Sequence, residues 1–109
     1  MSIRDLYIRI NNLNIEINKY NNLNVKLSSI INLLNESSGC IADLPSTITT
    51  TYSLDENDAS LTKDCKKLND DIVATSNYIK NVVIPGIDNF ISRCRYNISR
   101  LEAQLETAE

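Results

Sequence analysis

The sequence contains no His and no Trp, and only two glycines and two prolines among its 109 residues. With so few turn-forming residues the chain cannot supply the frequent reversals that many short β-strands need, so an all-α fold is favoured. Its three cysteines form no C-x-x-C pair, and without His the chain has too few ligands for a zinc site. We therefore expect no metal site and no cofactor.

Other absences argue against whole classes of function. There is no Gly-rich phosphate loop, and no Ser or Cys shares a motif with a general base, so we expect no catalytic residues and no enzyme activity. The net charge of −3, with Lys and Arg spread along both halves, provides no basic stripe for nucleic acid. Because the chain has no run of about 18 apolar residues and its first turns are polar, we expect neither a membrane-inserted helix nor a secretory signal peptide.

The clearest positive feature is a heptad pattern in the first third of the chain. Its members follow one another at alternating steps of three and four: Ile3, Leu6, Ile10, Leu13, Ile17, Tyr20, Asn24, Leu27, Ile31 and Leu34. We call such a row the seam, because this spacing predicts a long helix with another helix lying along it. Ser2 is expected to cap the first turn, and Asp5, three residues later, suits the positive end of the helix dipole.

The second half repeats the pattern in two rows. The first row is Leu61, Cys65, Leu68, Ile72, Thr75, Ile79 and Val82, and the second is Ile87, Ile91, Cys94, Ile98, Leu101 and Leu105. Pro85-Gly86 separates the rows and predicts a kink, because Pro85 cannot donate a backbone hydrogen bond. Cys65 and Cys94 are interpreted as small apolar seam residues.

These rows predict a long antiparallel two-helix hairpin, resembling a coiled coil, as a single domain over residues 1–109. Arm one covers about 3–52, the polar turn about 53–58, and arm two about 59–107. Arms of equal length favour a hairpin, with kinks near Gly39/Pro45 and at Pro85-Gly86. The alternative is a three-helix bundle broken at those same two places, and the continuity of arm one past Gly39 and Pro45 is left open.

Several large apolar residues lie outside the seam, where the hairpin cannot cover them. Ile8 and Ile15 stand one heptad apart on the side opposite the seam, and Val25, Phe90 and Tyr96 also fall off it. These five residues are predicted to bind a helical partner or a second copy of the chain. The alternative is that they are isolated surface residues, which are common in soluble proteins.

Asn24 is the polar member of the first seam, and it has two interpretations. An amide at this position can set the register of two helices by meeting another polar group. Alternatively, it faces Gly86 and stays hydrated in the space left by the kink.

Three short segments carry a resemblance to a known family. Residues 6–13 (LYIRINNL), 20–23 (YNNL) and 76–85 (SNYIKNVVIP) are similar to segments of the small helical proteins encoded beside LXG-domain toxins. Those proteins belong to the WXG-like superfamily of type VII secretion in Gram-positive bacteria. The resemblance implies a helical hairpin that binds the helical N-terminal domain of a larger effector, with or without a second small helical protein. It further implies a targeting factor or chaperone that is cytoplasmic before export and is secreted with its partner.

The sequence departs from the family at two points. It has no Trp-x-Gly at the turn, and the family's export motif, Tyr followed four residues later by an acid, is matched only by Tyr52 and Glu56 within or beside the predicted turn. We expect the export signal to come from a partner chain if this match is fortuitous. Two other functions fit the same pattern: a self-assembling coiled-coil component of a phage or cell envelope, and a cytosolic antitoxin or regulator.

Overall fold

The structure, a computed structural model, describes residues 2–52 and 59–108, and every one of them except Ser2 is helical. Helix α1 covers Ile3–Tyr52, α2 covers Ala59–Tyr78, a π-helix covers Ile79–Val83, and α3 covers Ile84–Ala108. The predicted all-α helical hairpin is confirmed, and its arms agree with these bounds to within one residue. The predicted turn at 53–58 lies outside the described residues.

Helix α1 begins as the sequence predicts. The Ser2 hydroxyl oxygen accepts a hydrogen bond from the Asp5 backbone N–H at 3.1 Å. The Ser2 carbonyl accepts the first helical hydrogen bond, from the Leu6 N–H, also at 3.1 Å. Ser2 is therefore the N-cap, and it satisfies a backbone donor that the first turn would leave unpaired.

The same helix continues through Gly39 and Pro45 to Tyr52. Proline inside a helix removes one hydrogen bond and crowds the preceding turn, so contacts with the rest of the fold must offset that cost. Pro45 is partly buried, as is Ile41 one turn before it. The first break of the three-helix alternative is therefore absent, and that alternative is wrong.

The contacts divide the chain into two compact units. The first unit combines the chain up to Leu27 with the chain from Val83 onward, and the second is Ser28–Val82. In each unit a segment of α1 packs against a segment of the second arm. A single hairpin domain over residues 1–109 stays a prediction.

The first unit has an apolar core. Its buried cluster consists of Ile17, Ile91, Cys94 and Ile98, with Ile10, Leu13, Tyr20, Ile87 and Phe90 packed around it. The Tyr20 and Phe90 rings meet edge to face, with centroids 4.8 Å apart. Asn24, four residues later in α1, bonds to Asp88, two residues earlier in α3. The helices of this unit therefore run antiparallel, as predicted.

The second unit uses polar side chains between its helices. The Ser38 hydroxyl donates to the side-chain oxygen of Asn69, and the Ser76 hydroxyl donates to that of Asn35 at 3.2 Å. Because residues later in α1 meet residues earlier in α2, this pair is antiparallel too. Ser76 is buried and Asn69 is partly buried, so these polar residues occupy the seam.

This arrangement corrects the predicted seam of the second arm. Four predicted seam residues are exposed: Ile3 in the first turn of α1, and Leu68, Thr75 and Val82 in the second arm. In α2 the seam instead passes through Asn69 and Ser76, each one residue further along. The pattern favoured Leu68 because it is apolar, whereas hydrogen bonds to α1 allow the polar neighbour to be buried.

The change of phase also lies earlier than predicted. The sequence places it at Pro85-Gly86, but the π-helix Ile79–Val83 ends two residues before Pro85. A π-helix forms i→i+5 hydrogen bonds and so takes up about one extra residue. The step from Ile79 to Ile84 is five residues, after which the spacing of three and four resumes at Ile87.

Candidate interaction surfaces

The described part of the chain contains few features of a chemical site. Within residues 2–52 and 59–108, no group of three His, Cys, Asp or Glu side chains is placed to hold a metal ion. No helix in these ranges is long and apolar enough to cross a membrane. All three cysteines are free; Cys65 and Cys94 are buried in the seam as predicted, and Cys40 is exposed on α1.

Ile8 and Ile15 are exposed at the surface of the first unit, as the sequence predicts. Their side chains are 47% and 55% exposed, respectively. At about 100° per residue, both lie nearly half a turn away from the buried Ile17 side of α1. They form a short apolar stripe, one heptad long, that faces away from the core of this unit.

Val25 and Tyr96 are also exposed, but they do not join that stripe. Tyr96, 64% exposed, lies about half a turn from the buried side of α3, so it faces away from α1. Val25 lies about a quarter turn from the seam of α1. Since Ile15 and Tyr96 point to opposite sides of a helix pair, one partner helix cannot contact both.

Phe90 is the predicted partner residue that the structure places elsewhere. It is partly buried and packs against the core cluster, with its ring on Tyr20. The prediction that it lies outside the seam is wrong. The sequence held a signal for this, because Phe90 stands three residues after Ile87 and four before Cys94, which is also seam spacing.

The candidate export motif is only partly covered by the structure. Tyr52 is the last residue of α1. Glu56 lies outside the described residues. A role for this pair therefore stays a prediction.

The second unit carries an apolar face that the sequence analysis did not identify. Within α1 and α2 its five large residues are between 39% and 61% exposed: Ile30, Leu33 and Leu44 on α1, and Leu68 and Tyr78 on α2. Each stands directly before a partly buried seam residue, so all five are offset from the seam by about 100° in the same sense. In an antiparallel pair, two flanks offset in the same sense lie on the same face. We call these five residues the apolar face of the second unit.

The charged residues that stand directly before the seam in this unit are acidic, and Lys67 lies between them on the same helix. Asp64 and Asp71 also stand directly before seam residues, and so they lie on the same flank of α2. Among the described residues of this unit, no Lys or Arg occupies a position directly before a seam residue. The opposite flank, directly after the seam, has Lys66 and Asn77, with Val73 as its one large apolar residue.

The sequence contains a signal for this face. An apolar residue stands directly before several seam residues along both helices, and these residues form a second row at heptad spacing. No protein-family model, curated protein or solved structure matches the chain.

Proposed function

We propose that this chain is a non-enzymatic helical partner that binds the helical N-terminal domain of an LXG-type type VII effector. In this proposal it serves as a targeting factor or chaperone for export. The observation that supports the proposal is the stripe of Ile8 and Ile15, which are about half exposed and face away from the core of their own unit. Such a stripe can pack against a helical domain that has an exposed apolar stripe of its own.

The energetic reason is the burial of apolar surface. Fully burying an Ile side chain contributes about 1.5–3 kcal/mol, and these two are already about half covered, so a partner helix gains roughly half of that from each. The effector domain gains in turn, because a helix with one uncovered apolar side is marginal in water. Assembly takes place in the cytoplasm, and the complex leaves the cell with the export signal carried by either chain.

The test is co-expression with the helical domain of an LXG-type effector. A stable complex is expected on size-exclusion chromatography. Changing Ile8→Glu and Ile15→Glu together should weaken the complex at least about tenfold, since a tenfold change corresponds to about 1.4 kcal/mol. Circular dichroism should show unchanged helicity, because both residues face away from the core.

A matched control is the double variant Asn14→Glu with Asn21→Glu. These residues are exposed on the same helix, have the same spacing and gain the same two charges, but lie about a third of a turn away from the stripe of Ile8 and Ile15. The control should bind the effector domain like the unchanged chain. Separate elution of the two chains at micromolar concentration would contradict the proposal.

A second candidate is a self-assembling coiled-coil protein. The observation in its favour is that Ile15 and Tyr96 face opposite sides of the first unit, as expected if further copies pack on both sides. Light scattering on the purified chain would then show a defined homo-oligomer without any second gene product. An antitoxin function would be distinguished by truncation, because binding would then require the catalytic end of the toxin.

A further inference from the structure

We infer that the apolar face of the second unit is a docking site for one amphipathic helix whose apolar stripe is edged by Lys or Arg residues one heptad apart. This inference rests on the proposed function, because it specifies the chemistry of a helix that such a partner would provide. It concerns a different surface from Ile8 and Ile15, so an experiment can refute the docking site without refuting the proposed function.

The shape of the face suits a single helix. Because Asn35 meets Ser76, Leu33 lies level with Tyr78 on the same face of the helix pair. From Ile30 to Leu44 the face extends over about 21 Å along α1, which is close to four helical turns. Its five large side chains expose on the order of 500 Å² of surface, comparable with the largest apolar patch of a typical soluble protein, which is often functional.

The charges identify the occupant. Asp64 and Asp71 are seven residues apart, about 10.5 Å along the helix, so a heptad repeat on a partner helix matches their spacing. A second copy of this chain would bring the same two carboxylates to the interface, and like charges brought together oppose association. A helix with Lys or Arg at that spacing pairs with both, while its apolar stripe covers Leu33, Leu68 and Tyr78.

Cys40 offers a specific probe of this face. It is exposed and stands directly before the seam residue Ile41, whereas Cys65 and Cys94 are buried. An environment-sensitive fluorophore on Cys40 of the full chain therefore reports occupation of this face. The probe ligands are three synthetic helical peptides of about three heptads: one with Leu at a and d and Lys on one edge, the same peptide with Glu for Lys, and a scrambled Lys peptide.

The Lys peptide should bind at least tenfold more tightly than the Glu and scrambled peptides. Leu68→Lys should weaken that binding at least tenfold, whereas Val73→Lys, on the same helix and the opposite flank, should leave it unchanged. The exposed double variant Asp64→Lys with Asp71→Lys should reverse the preference in favour of the Glu peptide. Because this double variant changes only exposed residues, it tests the site even if the Leu68→Lys variant fails to fold.

Equal binding of the three peptides, or equal losses in the Leu68 and Val73 variants, would overturn the inference. A fluorescence change that depends only on the concentration of the chain would overturn it too, because a second copy would then be the occupant. Binding of the effector domain that is insensitive to Leu68→Lys would refute this site and leave the proposed function intact. If the Lys peptide binds selectively but no effector complex forms, the docking site is supported and the proposed function is refuted.

Discussion

Asn24 donates its side-chain N–H to a carboxylate oxygen of Asp88 at 2.8 Å, while its own Oδ1 is buried without a hydrogen-bond partner. The amide therefore meets a polar group across the helix pair, as the register interpretation requires. Gly86, which the other interpretation placed opposite it, is two residues away and has open space where a Cβ would lie. A buried carbonyl oxygen without a donor costs stability, so the contact of Asn24 with Asp88 comes with an energetic cost.

Replacing Asn24 by Leu should stabilise the chain by about 1 kcal/mol, because it removes the unpaired oxygen and continues the apolar seam. Urea unfolding followed by circular dichroism measures the change. Asp88→Ala is the companion variant, and it should destabilise by about 1 kcal/mol, since it leaves the Asn24 amide without its acceptor. If Asn24→Leu instead lowers the unfolding midpoint, the Asn24 amide makes a net favourable contribution to stability, and the prediction is wrong.

At the scale of the helices, the π-helix Ile79–Val83 is the element that keeps the second arm in phase. Without its extra residue, the step from Ile79 to Ile84 would not return to the buried side of the helix. Pro85 follows two residues after the π-helix and has no N–H to donate to the preceding turn. Within the described residues of the second arm, the π-helix and the proline thus stand where the spacing of three and four is interrupted.

Deleting the exposed Asn81 in a Pro85→Ala background should convert the π-helix to a regular α-helix, because the deletion removes the extra residue and the substitution restores the donor. Stability should change by less than about 1 kcal/mol relative to Pro85→Ala alone. Thermal unfolding by circular dichroism measures this.

The control is deletion of the exposed Asn97 in the same background. There the helix has no extra residue to lose, so Ile98 and Leu101 would turn by about 100° away from the core. A loss of several kcal/mol is expected, of the size seen when large core residues are removed. Equal losses in the two deletions would contradict the role assigned to the π-helix.

At the scale of the whole molecule, buried residues are unevenly distributed. The first unit buries six apolar residues, namely Leu6, Ile17, Ile91, Cys94, Ile98 and Leu101, whereas the buried residues of the second are Cys65 and Ser76 among those described. Local stability follows buried apolar contacts. The second unit, which carries the exposed apolar face, is therefore the one that gains more from a partner.

Amide hydrogen exchange should reflect this difference. Backbone amides of α3 from Ile91 to Leu101 should be protected at least about tenfold more strongly than those of α2 from Cys65 to Ser76. Mass spectrometry on the isolated chain measures both segments in one experiment. Equal protection at low concentration would show that polar pairs stabilise the second unit as well as apolar packing stabilises the first.

The heptad spacing and the residues of the first turn predict the all-α hairpin, the Ser2 cap and the burial of Cys65 and Cys94, whereas they leave the continuity of arm one past Pro45 open. These features depend on local periodicity and on hydrogen bonds within one turn, which neighbouring residues specify. The LXG resemblance and the partner residues Ile8 and Ile15 stay predictions. The first seam required only one correction, at the exposed Ile3.

Choices between adjacent residues depended on what lies across the helix pair. Asn69 and Ser76 are in the seam, and Leu68 is outside it, because polar side chains of α1 stand opposite them. Phe90 reaches the core because Tyr20 faces it, and α1 continues past Pro45 because its contacts offset a lost hydrogen bond. Spacing places a residue on a side of a helix to within one position, and the packing of the second helix selects which of the two neighbours is buried.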